Sequence, residues 1–123
     1  MTESNPNPTL YWYAGCSTCK KAARLLDANG VAHARVDLKS SPPDVATLRG
    51  LWARSGAPIK RLFNTSGQSY RGGGFSTRLP DMTDDDALAA LAADGMLIKR
   101  PILAIGERVL IGFSEAEWQA AIA

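Results

Sequence analysis

The chain has 123 residues, 46% hydrophobic and 21% charged, which favours one folded domain with a single core. Its 14 basic and 12 acidic residues leave a net charge of +2 without a basic tract, so we expect no direct nucleic-acid partner. No stretch approaches the roughly 18 apolar residues of a membrane span, and the polar start lacks the features of a secretory signal. We therefore expect a cytoplasmic monomer with no membrane partner and no structural disulfide. Residues 1–8 are expected to form a flexible N-terminus, and residues 9–123 the folded domain.

The N-terminal third of the chain is typical of a βαβ unit. Residues 10–13 form an apolar and aromatic run that predicts a buried strand, which Ala14-Gly15 ends. A helical pattern begins at Ser17 and stops at Asn29-Gly30. Residues 31–38 alternate apolar and polar side chains, which predicts a half-buried strand. Both cysteines of the chain then lie at the turn between the first strand and the helix.

The middle of the chain is predicted to be a mostly helical insert. Pro42-Pro43-Asp44 precedes a helical pattern that ends at Ser55-Gly56. Residues 61–67 and 71–74 predict loop and turn, because they are rich in glycine and small polar residues. A capping pattern that begins at Thr83 predicts a further helix.

The C-terminal part predicts a hairpin followed by a helix. Residues 102–105 and 108–111 are apolar runs that flank Gly106-Glu107, a good two-residue turn. Ser114 and Glu117 form a capping box for the last helix. The order of elements is βαβ, a helical insert, then ββα. That order predicts an α/β protein with a thioredoxin-like fold and a helical insert between strands 2 and 3.

The motif Cys16-Ser17-Thr18-Cys19 indicates thiol chemistry at the first strand-to-helix turn. A thiol attacks a disulfide or an oxyanion as the thiolate, and a cysteine with an ordinary pKa near ~8.5 is mostly protonated at neutral pH. The free N–H groups and the dipole at a helix N-terminus favour the thiolate of the first cysteine. We therefore expect Cys16 to be the nucleophile and Cys19 the resolving thiol. Lys20 and Lys21 add positive potential, and Lys20 is a candidate binding residue.

Three other interpretations of the two cysteines remain open. A zinc site needs four ligands, and the further soft candidate is His33, which the alternation places on the exposed side of a strand. Two buried and inert cysteines are a second interpretation, since free cysteine is often a core residue. A structural disulfide is the third, and a reducing compartment disfavours it. We expect no metal site.

Arg100-Pro101 is the second candidate constellation, directly before a predicted strand. In thioredoxin-like folds a proline in this place is cis and lies against the CxxC motif. That geometry would carry Arg100 to Cys16 and make Pro101 part of the binding surface. The alternative is an ordinary exposed arginine in front of a proline that opens a strand.

Four stretches of the chain resemble the ArsC/Spx family, especially its YffB-like and Spx/MgsR-like branch. They are residues 16–22 (CSTCKKA), 63–67 (FNTSG) with Tyr70-Arg71, 96–102 (MLIKRPI) and 111–114 (IGFS). The likeness runs from Leu10 over nearly the whole chain, and it implies a thioredoxin fold with a helical insert. It also implies one catalytic cysteine, which Cys16 matches.

The arsenate reductases of this family bind the oxyanion with three arginines, and the chain departs from that pattern. Arg100 matches the arginine that precedes the proline. The other two fall at Asn64 and Gly112, so two of three anion ligands are replaced. Each charged contact is worth roughly 1.5–3 kcal/mol, so arsenate binding should weaken by orders of magnitude. Arg61 or Arg108 remains available as a substitute, and Asn64 remains a candidate binding residue.

The leading hypothesis is a thiol–disulfide oxidoreductase that forms a mixed disulfide at Cys16, resolved by Cys19 or by glutathione. It needs no bound cofactor, and its expected electron donor is glutathione or a small redox protein, thioredoxin or glutaredoxin. The resemblance implies two alternatives. One is a true arsenate reductase, and the other is a redox-sensing regulator of the Spx type that binds RNA polymerase.

Overall fold

The computed structural model describes residues 8–122. They contain one four-stranded sheet. The sequence-predicted flexible segment 1–8 lies outside the described residues except for Pro8. The strands are β1 (Thr9–Trp12), β2 (Ala34–Asp37), β3 (Ile102–Ile105) and β4 (Arg108–Ile111), in the order β2-β1-β3-β4. β1 pairs in parallel with β2 and antiparallel with β3, and β3 pairs antiparallel with β4. This is the predicted thioredoxin-like fold, with the insert between β2 and β3.

One face of the sheet is covered by α1 (Ser17–Ala28) and α6 (Glu115–Ile122). Leu10 points to this face, because successive side chains of a strand alternate and its neighbour Tyr11 packs on the other side. Trp118 is fully buried here, and its indole N–H donates to the carbonyl of Gly112 at 3.0 Å. The core of this face comprises Leu10, Ala22, Ala23, Leu26, Leu103, Leu110 and Trp118.

The insert covers the other face with short helices and 3₁₀ turns. Its helices are α2 (Val45–Ser55), α3 (Gln68–Gly72), α4 (Phe75–Arg78) and α5 (Asp84–Ala93). The cap that the sequence predicts at Thr83 is present, since its side chain accepts from the N–H of Asp86 at 3.0 Å. Asp44 likewise caps α2, because it accepts from the N–H of Thr47 at 2.8 Å. Across residues 8–122, we find no helix with both the length and the apolar character that crossing a bilayer requires.

The prediction of loop and turn over residues 61–67 and 71–74 is partly wrong. A 3₁₀ turn covers Ile59–Leu62, and α3 includes residues 71 and 72, whereas residues 63–67 and 73–74 have no helix, as predicted. The cause is long-range packing: the rings of Phe63, Tyr70 and Phe75 are buried with centroids 5.8 to 6.2 Å apart. Burial of these rings stabilises short helices that their glycines disfavour.

The second strand is shorter than its alternation predicts. β2 covers Ala34–Asp37, and Ala32 and Ala34 are exposed rather than buried. The N–H of Val31 instead donates to Leu26 at 2.9 Å and continues the end of α1. Alanine gains little from burial, so alternating alanines are a weak signal at the edge of a sheet.

The outer edge of β4 is held by two arginines of the insert. Arg54 donates through Nη1 to the carbonyl of Gly106 at 3.1 Å, and Arg61 through Nη2 to that of Ile111 at 3.2 Å. β4 has no strand neighbour on this side within the described chain. These contacts fix the insert against the hairpin.

Candidate active site

Cys16 is the N-cap of α1, where the sequence predicts the reactive thiol. Its backbone is extended, and its Sγ accepts a hydrogen bond from the N–H of Cys19 at 3.4 Å. Its own N–H donates to the carbonyl of Tyr13 at 3.0 Å, which ties the cysteine to the end of β1. The side chain is half-buried, so the sulfur combines helix-end polarity with access to solvent.

The two thiols have opposite pKa shifts. Burial raises the pKa of Cys16, but hydrogen bonds from Cys19 and the charge and hydrogen bonding of Arg100 outweigh it, so the net shift is downward. Cys19 is fully buried, and mainly this burial raises its pKa from 9.0 to about 12. The hydrogen bond and charge of Cys16 raise it further, while the backbone of Tyr13 and the charge of Arg100 oppose the rise. This contrast favours the thiolate at Cys16 over one at Cys19 near neutral pH.

Arg100 reaches the cysteines from the segment before β3. The Arg100–Pro101 peptide bond is cis, as expected, and Pro101 is buried. The guanidinium Cζ of Arg100 lies 5.5 Å from the ring centroid of Tyr13, and Nη1 donates to the carbonyl of Met96 at 3.3 Å. Its Nε is buried without a hydrogen-bond partner among residues 8–122. The arginine is thus a half-buried component of the site rather than an ordinary surface residue.

The insert holds this segment in place through backbone hydrogen bonds. The N–H of Asn64 donates to Leu97 at 2.8 Å, and that of Lys99 donates to Leu62 at 2.7 Å. The side chain of Asn64 packs against Gly67. Asn64 therefore contributes through its backbone to the position of the Arg100 segment, whereas Lys20 is exposed on α1.

Tyr13 is a site residue that the sequence analysis missed. Its ring lies within 6 Å of two cations, Arg100 at 5.5 Å and the Nζ of Lys39 at 5.9 Å. A Cβ on Gly15 would lie 2.7 Å from this ring, so the ring occupies the space that a side chain there would need. The signal in the sequence that could have revealed Tyr13 is its place as an aromatic residue just before the CxxC motif.

A cavity of about 710 Å³ opens between the insert and the turn after β4. Its lining includes Lys60, Arg61, Lys99, Gly112, Ser114 and Glu117. Gly112, where the family resemblance places an arginine, has φ +78°, a conformation that favours glycine. The Cε of Lys99 lies 3.4 Å from where a Cβ on Gly112 would stand. A cation from the neighbouring segment therefore occupies this region.

Metal ligation has no support in the described part of the chain. Across residues 8–122, no group of three or more His, Cys, Asp or Glu side chains is placed to hold a metal ion. His33 has its Nδ1 2.8 Å from the carbonyl of Val31, and its Nε2 accepts from Arg35 at 3.0 Å. These local contacts account for both ring nitrogens.

The fold and site define a thioredoxin-fold protein with paired cysteines at the first helix N-terminus. Residues 11–121 match the ArsC family, and the chain belongs to it. The uncharacterized protein YusI of Bacillus subtilis is 40% identical over 111 residues, which cover 90% of this chain and 94% of that protein.

Solved structures agree with this assignment. An ArsC family related protein from Bacteroides fragilis has a TM-score of 0.89 at 35% identity, over 94% of this chain and 98% of that one. A possible arsenate reductase from Streptococcus mutans has a TM-score of 0.84 at 38% identity, over 94% of this chain and 99% of that one. Less similar relatives bear the names of arsenate reductases and of the regulators MgsR and Spx 2.

Proposed function

We propose that the protein is a thiol–disulfide oxidoreductase in which Cys16 is the nucleophile and Cys19 the resolving thiol. The observation that supports this proposal most strongly is the contrast between the two thiols. Cys16 is partly accessible and has a lowered pKa, whereas Cys19, one helical turn away, is buried and has a raised pKa. Arg100 supports the thiolate of Cys16 by charge and hydrogen bonding. Such a pair suits attack by one thiol and intramolecular release by the other.

The reaction proceeds in two exchanges. The Cys16 thiolate attacks one sulfur of the substrate disulfide, so a bond forms between Cys16 and the substrate, the substrate's own S–S bond breaks, and one substrate thiolate leaves. Cys19 then attacks the Cys16 sulfur, its proton passes to solvent or to the second leaving thiolate, and a Cys16–Cys19 disulfide forms. Two electrons pass from the protein to the substrate. A thiol donor in the cytoplasm, glutathione or a thioredoxin or glutaredoxin, returns them.

Two alternatives follow from the names of the relatives. Arsenate reduction would begin with the same cysteine, but the replaced arginines at Asn64 and Gly112 disfavour tight binding of a small oxyanion. A regulator that binds RNA polymerase would use the same dithiol as a switch. Steady arsenite production with glutathione would favour the first alternative, and oxidation-dependent capture of polymerase the second.

Mass spectrometry of trapped adducts tests the proposal. Reduced protein mixed with glutathione disulfide should end as the intramolecular Cys16–Cys19 disulfide. The Cys19→Ser variant should instead accumulate a glutathione adduct on Cys16, and Cys16→Ser should form none at the same pH. An adduct that forms on Cys19 as fast as on Cys16 would reverse the assigned roles, and the absence of any adduct would refute the proposal.

A further inference from the structure

Tyr13 is the residue at which the two parts of the site meet. Its backbone carbonyl accepts the N–H of Cys16 at 3.0 Å, so it fixes the cysteine at the start of α1. Its ring lies 5.5 Å from the Cζ of Arg100, which reaches the site from the segment before β3. The placement of the thiol and of the cation that acts on it therefore depends on one residue, through its backbone on one side and its ring on the other.

Hydrogen bonds to the rest of the protein hold the Arg100 guanidinium only loosely. Its Nη1 donates to the carbonyl of Met96 at 3.3 Å, which is long for such a bond. Its Nε is buried without a partner, and Arg100 takes part in neither of the ion pairs found between residues 8 and 122. A guanidinium has five N–H donors, so these contacts leave much of its orientation open. The ring of Tyr13 is the further contact that restricts it.

The turn after Tyr13 confines the ring to its place. A Cβ on Gly15 would lie 2.7 Å from the Cε2 of the ring and 2.9 Å from its Cζ. Both atoms belong to the outer part of a side chain, so an added methyl group would displace the ring rather than the backbone. Gly15→Ala therefore moves the ring without removing it.

We propose that Tyr13 is a positioning residue for the reaction of Cys16, whose ring holds the guanidinium of Arg100 beside the thiolate. The inference rests on the proposed function and adds a residue to it. An aromatic face attracts a cation, and the half-buried location of both side chains strengthens that attraction. Because Arg100 is one of the groups that lower the pKa of Cys16, a displaced guanidinium should leave that thiol with a higher pKa.

The pH profile of Cys16 alkylation by iodoacetamide tests this role, with the label located by mass spectrometry. Tyr13→Leu removes the aromatic face and keeps an apolar side chain. It should slow alkylation about threefold at pH values below the pKa of Cys16, where the rate follows the thiolate fraction. At high pH, where the thiol is fully ionised, the rate should stay within about twofold. Tyr13→Phe keeps the ring and should retain most of the rate, and a Tyr13→Phe variant as slow as Tyr13→Leu would overturn the inference.

Gly15→Ala tests the same contact with the tyrosine still present. The displaced ring should slow alkylation about twofold to threefold below the pKa of Cys16 and little above it. Steric hindrance by the new methyl group would instead slow alkylation equally at every pH. An equal loss at every pH, or an unchanged profile, would overturn the inference.

Lys39→Gln is the matched control. The Nζ of Lys39 is a second cation near the ring, 5.9 Å from its centroid, and the side chain is exposed. Lys39 is not among the groups that shift the pKa of Cys16, so its removal should leave the profile within about twofold. A loss as large as that of Tyr13→Leu would mean that the ring does not act through Arg100, and it would overturn the inference.

A double-mutant cycle identifies the residue through which Tyr13 acts. In an Arg100→Ala background the positioned cation is absent, so Tyr13→Leu should slow alkylation no further. Additive losses from the two substitutions would overturn the inference.

These measurements separate the inference from the proposed function, because alkylation requires the Cys16 thiolate but no disulfide exchange. If the unchanged protein fails to exchange with glutathione disulfide while Tyr13→Leu still shifts the profile, the proposed function alone is refuted. If exchange proceeds and Tyr13→Leu leaves the profile unchanged, the inference alone is refuted.

Discussion

The two faces of the sheet contribute different parts of the site. The face under α1 and α6 supplies both thiols from one regular helix, whose residues are close in sequence. The insert face supplies support for Arg100, through backbone bonds from residues 62–64 to residues 97–99. The proposed nucleophile Cys16 and the charge of Arg100 therefore depend on separately packed halves of the core. Damage to one half should be separable from damage to the other.

The largest expected effect is on the insert face, at Gly95. A Cβ there would lie 1.6 Å from the carbonyl oxygen of Leu38, and the backbone would have to move apart. Gly95→Ala should lower the free energy of unfolding by about 5 kcal/mol or more, measured by urea denaturation. The matched control is Gly50→Ala within α2, where nothing lies within 4 Å, and it should stabilise by about 0.5–1 kcal/mol. Similar stabilities for the two variants would contradict the close contact at Gly95.

The next largest effect compares one buried aromatic residue on each face. Phe63→Ala and Trp118→Ala should each cost about 3–5 kcal/mol of unfolding free energy. We expect Phe63→Ala to slow alkylation of Cys16 more, because residues 62–64 hold the Arg100 segment. Alkylation rates of Cys16, measured well below the temperature at which each variant unfolds, test this expectation. A slower Cys16 in Trp118→Ala than in Phe63→Ala would refute the division between the two faces.

Replacement of Arg100 is expected to have the smallest effect on the free energy of unfolding. It should nevertheless have a large effect on the reaction rate of Cys16. Because its charge and hydrogen bonding lower the pKa of Cys16, Arg100→Ala should raise that pKa. The thiolate exists above the pKa and is lost as the pH falls through it, so the decline of the rate on acidification should begin at higher pH in the variant. The reaction of Cys16 with glutathione disulfide at mildly acidic pH should slow about tenfold. The free energy of unfolding should change by at most about 1 kcal/mol.

Arg100→Lys should restore part of the rate, since it keeps the charge and loses the planar fork. An unchanged pH profile in Arg100→Ala would mean that the arginine does not act on the thiol. A stopped-flow measurement across the acidic and neutral range distinguishes these outcomes.

Local signals in the sequence were sufficient for much of the fold. Capping residues such as Asp44 and Thr83 are readable in the sequence, because each accepts a hydrogen bond from a backbone N–H only three residues further on. The short helices after Leu62 carry no such signal, since they depend on Phe63, Tyr70 and Phe75 meeting in the core.

The same distinction applies to the site. The CxxC spacing and the Arg100-Pro101 pair are visible as motifs, and the structure brings them together. The ring of Tyr13 and the cations Lys60 and Lys99 are not visible in this way, because they converge only when segments distant in the chain fold against one another. Long-range convergence of this kind is what a single sequence does not display.

The arginines on the outer edge of β4 also bear on how the protein behaves at high concentration. An uncovered strand edge is a template for pairing with another chain, and such pairing leads to aggregation. Here Arg54 and Arg61 occupy the carbonyls of Gly106 and Ile111, and they place positive charge along that edge. A strand from a second molecule would have to displace both guanidinium groups and accept their desolvation, so the hairpin is protected against edge-to-edge association.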